Sequence, residues 1–240
     1  MTTFEKFFGI NPTKIKKNCI ICPTGDASLF TDKNSKTSKG IFFKIDNLEN
    51  KTIISVKNNF LISDCILLLI ETPCENIFLF GPCGALTPFE IGDELLINKA
   101  YNFESTSSFL DFSSEAKAYC PDKILFDKFH SFSRLCQVPA KSGTKLKTSI
   151  CATTNSLILE KLHVQKLKKL QVSSLDMEAS IVFFCAKKIG KKAIATLYAS
   201  DSPEKTHLFT PLNENEKKTL KASRQNLAQL LKSFINDQKH

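Results

Sequence analysis

The run "SSLDMEASIVFFC", residues 173–185, carries Asp176 and Glu178 into apolar surroundings, where a carboxylate must find partners or lose its charge. Further along, "TLYASDSPEKTH" ends an apolar run in Ser200 and Asp201. Two chemistries suit these acids. A glutamate at the mouth of a strand can accept hydrogen bonds from two neighbouring hydroxyls at once, which is what recognising the diol of a ribose requires, and Glu178 fits that description. An aspartate whose pKa is raised by burial can donate a proton, and Asp201 fits that one. Structural roles compete with both: Asp176 can cap the following helix, and Asp201 can be a turn or cap residue. A third stretch, "LFGPCGALTPFEIGDELLI", holds Gly81 and Gly84, which either let backbone approach a ligand or form a tight turn.

Such residues need strand ends to present them. Short apolar runs bounded by Gly, Pro or Asn predict strands at about 18–23, 41–46, 52–57, 76–81, 93–101, 147–152 and 193–199, with a short one at "SSL" before Asp176. Helical periodicity lies between them. "ISDCILLLIETP" opens on a Ser or Asp cap, "PDKILFDKFHSFSRLC" starts with Pro in its first turn, and "ASIVFFCAKKIG" ends at Gly190. A last helix at about 214–236 carries Leu220, Leu227, Leu230, Leu231 and Phe234 as one stripe. The alternation predicts an α/β fold with a mixed central β-sheet flanked by helices, residues 1–240 forming a single domain. Ligands in such folds bind at the carboxyl ends of the strands, which is where all three stretches fall. The aperiodic segment 102–118, with Phe103, Phe109 and Phe112, is long enough to expect a functional loop.

Composition narrows the partners. The net charge of +9 comes from lysines scattered along the whole chain, a solvated coat without the clustered arginines and exposed aromatics of a nucleic-acid interface. No apolar run approaches the roughly 18 residues of a membrane span, and the N-terminus lacks a signal-peptide core, so a cytosolic protein is expected. The nine cysteines read as reduced, buried small hydrophobes. Cys19 and Cys22 form a CxxC on an apolar strand with no second ligand pair, so no metal is expected.

Taken in order, "FGPCGAL" with "IGDELLI", "LDMEAS" and "YASDSPE" resemble the glycine-rich turn, the ribose-binding motif and the catalytic Ser-Asp of the nucleoside phosphorylase and nucleosidase superfamily. The resemblance runs from about residue 15 to 235. It implies a nucleoside phosphorylase-like fold, no cofactor, a homo-oligomer and cleavage of a purine N-glycosidic bond. Glu178 would hold the ribose hydroxyls, Met177 would pack against the sugar, and Asp201 with Ser200 would serve the N7 position of the leaving base. Gly81, Cys83 and Gly84 would line the pocket. "KTSICATTNSLILE" is most similar to the AMP nucleosidases, which implies Thr153, Thr154, Asn155 and Leu157 around the base.

The chain departs from the family's pattern in three respects, the first being that "SVKNNFLISDC" replaces the glycine-rich turn usual after the third strand. Leu29 and Leu79 stand where phosphorylases of this family hold phosphate with arginine, so the bidentate anchors are missing. Asp26 is the nearest acid to the place where methylthioadenosine nucleosidases keep a water-activating glutamate. Three readings follow: a nucleosidase acting on a nucleoside or on AMP, a phosphorylase with other phosphate contacts, and a family member that binds without catalysis. For a 5′-phosphate the nearby basic candidates are Lys145, Lys147 and Lys205.

Overall fold

The structure, a computed structural model, describes residues 1–56, 58–105, 116–136, 145–156, 158, 162–205 and 210–238. Strands β1 (Asn18–Cys22), β4 (Lys51–Val56), β5 (Asn76–Ala85) and β10 (Lys192–Asp201) run parallel at its centre. These strands are almost unbroken apolar runs because both of their faces are covered; every residue of β1 is buried. Strands β2 (Lys36–Lys39) and β3 (Phe43–Asn47) extend the sheet antiparallel from β4. On the other flank lie β6 (Glu94–Phe103), β7 (Ala118–Tyr119), β8 (Lys147–Thr154) and β9 (Ser174–Asp176). β10 pairs with both β5 and β6, β6 with β8, β8 with β9, and β9 with β5, so these strands close into a ring.

The helices are α1 (Thr3–Phe8), α2 (Ile62–Leu68), α3 (Lys123–Leu135), α4 (Val164–Lys169), α5 (Ala179–Lys188) and α6 (Glu214–Asp237). Strand alternation separates two cores. Cys19, Ile21, Leu79, Ala195 and Leu197 face α1, α2 and α5, whereas Ile20, Cys22, Phe78, Phe80 and Tyr198 face α3 and α6. Cys19 and Cys22 therefore point to opposite faces of β1, and burial raises both thiols. Among the described residues, no helix is long and apolar enough to cross a membrane.

Several predicted boundaries move for identifiable reasons. β5 continues to Ala85, so Gly81 and Gly84 lie inside a strand rather than in a turn. Pro121 stands outside α3, whose cap is Asp122, accepting from the Leu125 N–H at 2.8 Å. α2 begins after Leu61 with no side-chain cap, and only its first seven residues are α-helical. α6 matches its stripe, starting in a capping box between Asn213 and Glu216 and burying Leu227, Leu231 and Phe234. β6 runs on to Phe103, which is buried in the chain's own core beside Leu86 and Leu175 and so is not part of the functional loop expected over 102–118. Phe109 and Phe112 lie outside the described residues.

Asp26, in the 3₁₀ turn after β1, is not a free carboxylate. Tyr198 donates to it at 2.5 Å, Thr24 donates at 3.0 Å, and Arg224 of α6 forms an ion pair with it while lying 5.6 Å from the Tyr198 ring centre. Burial, then the bond to Asp26, pushes the Tyr198 phenol up. The network ties β1, β10 and α6 together and removes Asp26 as an activator of water. Arg224→Gln leaves the buried carboxylate short of its cation. We expect a loss of about 2 kcal/mol in a urea titration, less than for a fully buried pair because the arginine is partly exposed.

Candidate active site

The carboxyl end of β5 organises the site. Ala199 pairs with Cys83 and Asp201 with Gly84, so Ser200 is an extra residue on β10, a bulge that re-aims the chain where the strand ends. Ser200 Oγ donates to Asp201 Oδ1 at 2.8 Å and lies 3.3 Å from the Cys83 carbonyl. Burial raises the Asp201 pKa, and the Ser200 bond offsets part of that. Gly84 has to be glycine here. A Cβ on it would sit 2.9 Å from Pro203 Cγ and 3.5 Å from Asp201 Oδ2.

Gly84 also pairs, on its other side, with Leu175 of β9. Two interstrand spacings of about 4.8 Å therefore separate Asp201 from the β9 backbone. β9 delivers Asp176, whose carboxylate is fully engaged: Thr153 Oγ1 and the Ala179 N–H donate to it at 2.7 Å, and Cys151 Sγ at 3.4 Å. Asp176 anchors the start of α5 through the Ala179 N–H, and Thr153 holds it rather than facing a base. Burial raises the pKa of Asp176 and these bonds oppose the rise.

Glu178 stands immediately before α5 and is buried, with Oε2 accepting from the Met177 N–H at 3.3 Å. Burial, then the charges of Asp176 and Glu104, push it up to about 8. A carboxyl so placed holds a proton at neutral pH unless a ligand rewards its ionised form. Half-buried Met177 lies between Asp176 and Glu178 on the way into α5. Thr154 ends β8 with its Oγ1 buried and without a hydrogen-bond partner, and half-buried Asn155 follows it.

The expected residues are thus mostly gathered. Cys83, Gly84, Met177, Glu178, Ser200 and Asp201 converge through β5, β9 and β10, and Thr154 and Asn155 adjoin them through β8. Gly81 sits three residues back along β5, against Pro23 rather than beside Asp201. Leu157 lies outside the described residues. Leu79 is fully buried and Leu29 packs against the α6-side core, so neither position offers an anion a contact. Lys147 begins β8, at the far end from Thr154, and pairs with Asp93 at 2.6 Å; Lys205 pairs with Glu90 at 3.0 Å. Each of these two lysines thus has a carboxylate partner. Glu104, just past β6, escaped the motif reading; its signal was the alternation of Asn102 and Glu104 at a strand end.

The site thus sits on a closed ring of strands, with Asp201 on the bulge of β10 and buried Glu178 just beyond β9. The chain belongs to the phosphorylase superfamily, whose family model matches residues 62–236. A DeoD-type 2 purine nucleoside phosphorylase of Vibrio cholerae is 28% identical over 134 residues, 56% of this chain and 55% of that protein. The chain therefore spans about half the length of the curated relatives it matches. Solved structures with the same fold include the AMP nucleosidase of Bacteroides thetaiotaomicron, with TM-score 0.71, 15% identity, and 99% of this chain and 96% of that one covered. Another is the 5′-methylthioadenosine/S-adenosylhomocysteine nucleosidase of Campylobacter jejuni, with TM-score 0.70, 14% identity, and 91% and 98% covered. The family and these relatives are nucleoside phosphorylases and nucleosidases, enzymes acting on the N-glycosidic bond.

Proposed function

We propose that this chain is a purine nucleosidase. The observation that carries the reading is that β10 and β9, which pair with β5 on either side at Gly84, lead to an Asp201 whose pKa burial raises and to a buried Glu178. As the C1′–N9 bond lengthens, its electron pair goes to the purine, and a proton from Asp201 at N7 neutralises the leaving base. Glu178 accepts hydrogen bonds from the ribose hydroxyls while the sugar gains cationic character, and Met177 packs against the sugar. Water then adds its oxygen to C1′ and releases a proton, giving free ribose and free base. Asn155 and Thr154 line the pocket.

Water rather than phosphate is favoured because Leu29 and Leu79 are packed into the cores where phosphate anchors would stand. A phosphorolytic reading is supported by the phosphorylase names of the curated relatives, from Vibrio to Bacillus velezensis. Chromatography of free bases after incubation with adenosine, inosine, methylthioadenosine or AMP, with and without phosphate, separates the two. Release independent of phosphate is expected. Release only in its presence would make the chain a phosphorylase, and no release with tight binding would make it a binding protein. A single domain, assembly into homo-oligomers and a cytosolic site of action belong to the same proposal.

A further inference from the structure

One acid three residues past Asp201 has no role in that scheme: Glu204, in the turn that follows β10. "SPEK" folds as a turn because Pro203 presets the backbone at its second position, and the Lys205 N–H donates to the Ser202 carbonyl at 3.0 Å. Ser202 and Pro203 are buried, and Pro203 lies against Gly84. Ser200 and the last ladder pairing, with Gly84, hold Asp201 from the β10 side. From the other side it is held by this turn.

Glu204 fastens the turn at two points. Its Oε2 accepts from the Thr87 N–H at 2.5 Å, and its Oε1 forms an ion pair with Lys168 of α4. Both points are rooted in the fold. Thr87 follows Leu86, which is buried just past the end of β5 and whose N–H donates to the Ser173 carbonyl at 3.0 Å. α4 packs Val164 and Leu167 into the same core as Leu86 and Leu175. The Glu204 side chain is 15% exposed and that of Lys168 30%, whereas the neighbouring pair of Lys205 and Glu90 is 56% and 74% exposed and contributes little. Burial works to raise the Glu204 pKa, but the bonds from Lys168 and Thr87 outweigh it and hold the carboxyl below its ordinary value.

We propose that Glu204 is a positioning residue: bound by Lys168 and the Thr87 N–H, it holds the turn 202–205, and through it the Asp201 carboxyl, in the place from which a proton passes to the leaving base. The proton transfer itself rests on the nucleosidase reading. Glu204 touches no reacting atom in this role. Its effect is on geometry, where a displacement of about 1 Å can cost up to about 100-fold in rate.

The test measures kcat and KM for the full chain and its variants on a purine nucleoside and on a p-nitrophenyl riboside, which needs no proton from the enzyme. Glu204→Ala should lower kcat on the purine about tenfold, with KM within about twofold, and leave turnover of the riboside within about threefold. Lys168→Met, which leaves the Thr87 bond in place and serves if Glu204→Ala does not fold, should lose about fivefold. Lys168→Arg, which keeps the ion pair, should restore the wild-type rate. Glu90→Gln, which removes the exposed pair beside it, should change nothing. In an Asp201→Asn background Glu204→Ala should cost nothing further, because a residue that works through Asp201 has no effect once that proton is gone. Equal losses on the two substrates, no loss on either, or a loss that persists in the Asp201→Asn background overturns the assignment while base release by the wild type keeps the nucleosidase reading. If the wild type releases no base, that reading falls and amide hydrogen exchange decides the positioning role. Faster exchange in Glu204→Ala confined to residues 199–205 and 84–90 keeps it, and unchanged exchange removes it as well.

Discussion

Asp201→Asn should lower kcat/KM for a purine nucleoside by about 100-fold or more, within the range ordinarily supplied by one positioned general acid. The amide keeps the size and the bond from Ser200 Oγ while losing the transferable proton, so the variant should fold and bind. The discriminating measurement uses a second substrate, a p-nitrophenyl riboside, whose leaving group departs without protonation. Its turnover should fall by less than about tenfold. Equal losses on both substrates would mean that Asp201 positions the sugar instead of assisting the base. No loss on either would remove it from the mechanism. Wild-type activity on the purine substrate should also fall as pH rises through the Asp201 pKa, which burial holds above the usual carboxylate range.

Much of this arrangement was legible in the sequence because strands buried on both faces and capped helices write themselves locally. "NCIIC", "TIISV" and "AIATLYA" are apolar throughout, and Asn213 with Glu216 announces the start of α6. The motifs "LDMEAS" and "YASDSPE" also located Glu178 and Asp201, since each sits where a strand runs out. Long-range pairing was not legible. Nothing in "FGPCGAL" tells that β5 continues through both glycines, because the reason lies in Pro203 and Asp201 packing against Gly84 from a strand more than 100 residues away. The same holds for Asp26, whose partners Tyr198 and Arg224 come from β10 and α6. Glu104 escaped for a related reason: Asn102, which holds it, meets Thr153 and through it Asp176 only by the register of β6, β8 and β9.

Glu178→Gln should lower kcat/KM for the nucleoside at least tenfold on both a purine and a p-nitrophenyl substrate, since hydrogen bonds to a charged group typically contribute about 1.5 to 3 kcal/mol. Its effect on stability should have the opposite sign. The folded protein raises Glu178 from 4.5 to about 8, so between those values the unfolded chain gives up the proton that the folded chain retains. Below pH 4.5 both states hold it and the residue contributes no penalty. As pH rises toward 8 the folded state loses stability relative to the unfolded one, and above 8 the loss is complete. Glutamine cannot ionise, so the variant should match the wild type in acid and exceed it near pH 8, by on the order of a few kcal/mol. Urea titrations of both proteins at several pH values measure the difference directly. Curves that stay parallel across this range would show that Glu178 is paired in the free protein. Divergence together with lost activity would identify it as a carboxylate kept at the expense of stability for the sake of a ligand, which is the answer to why the apolar run holds it.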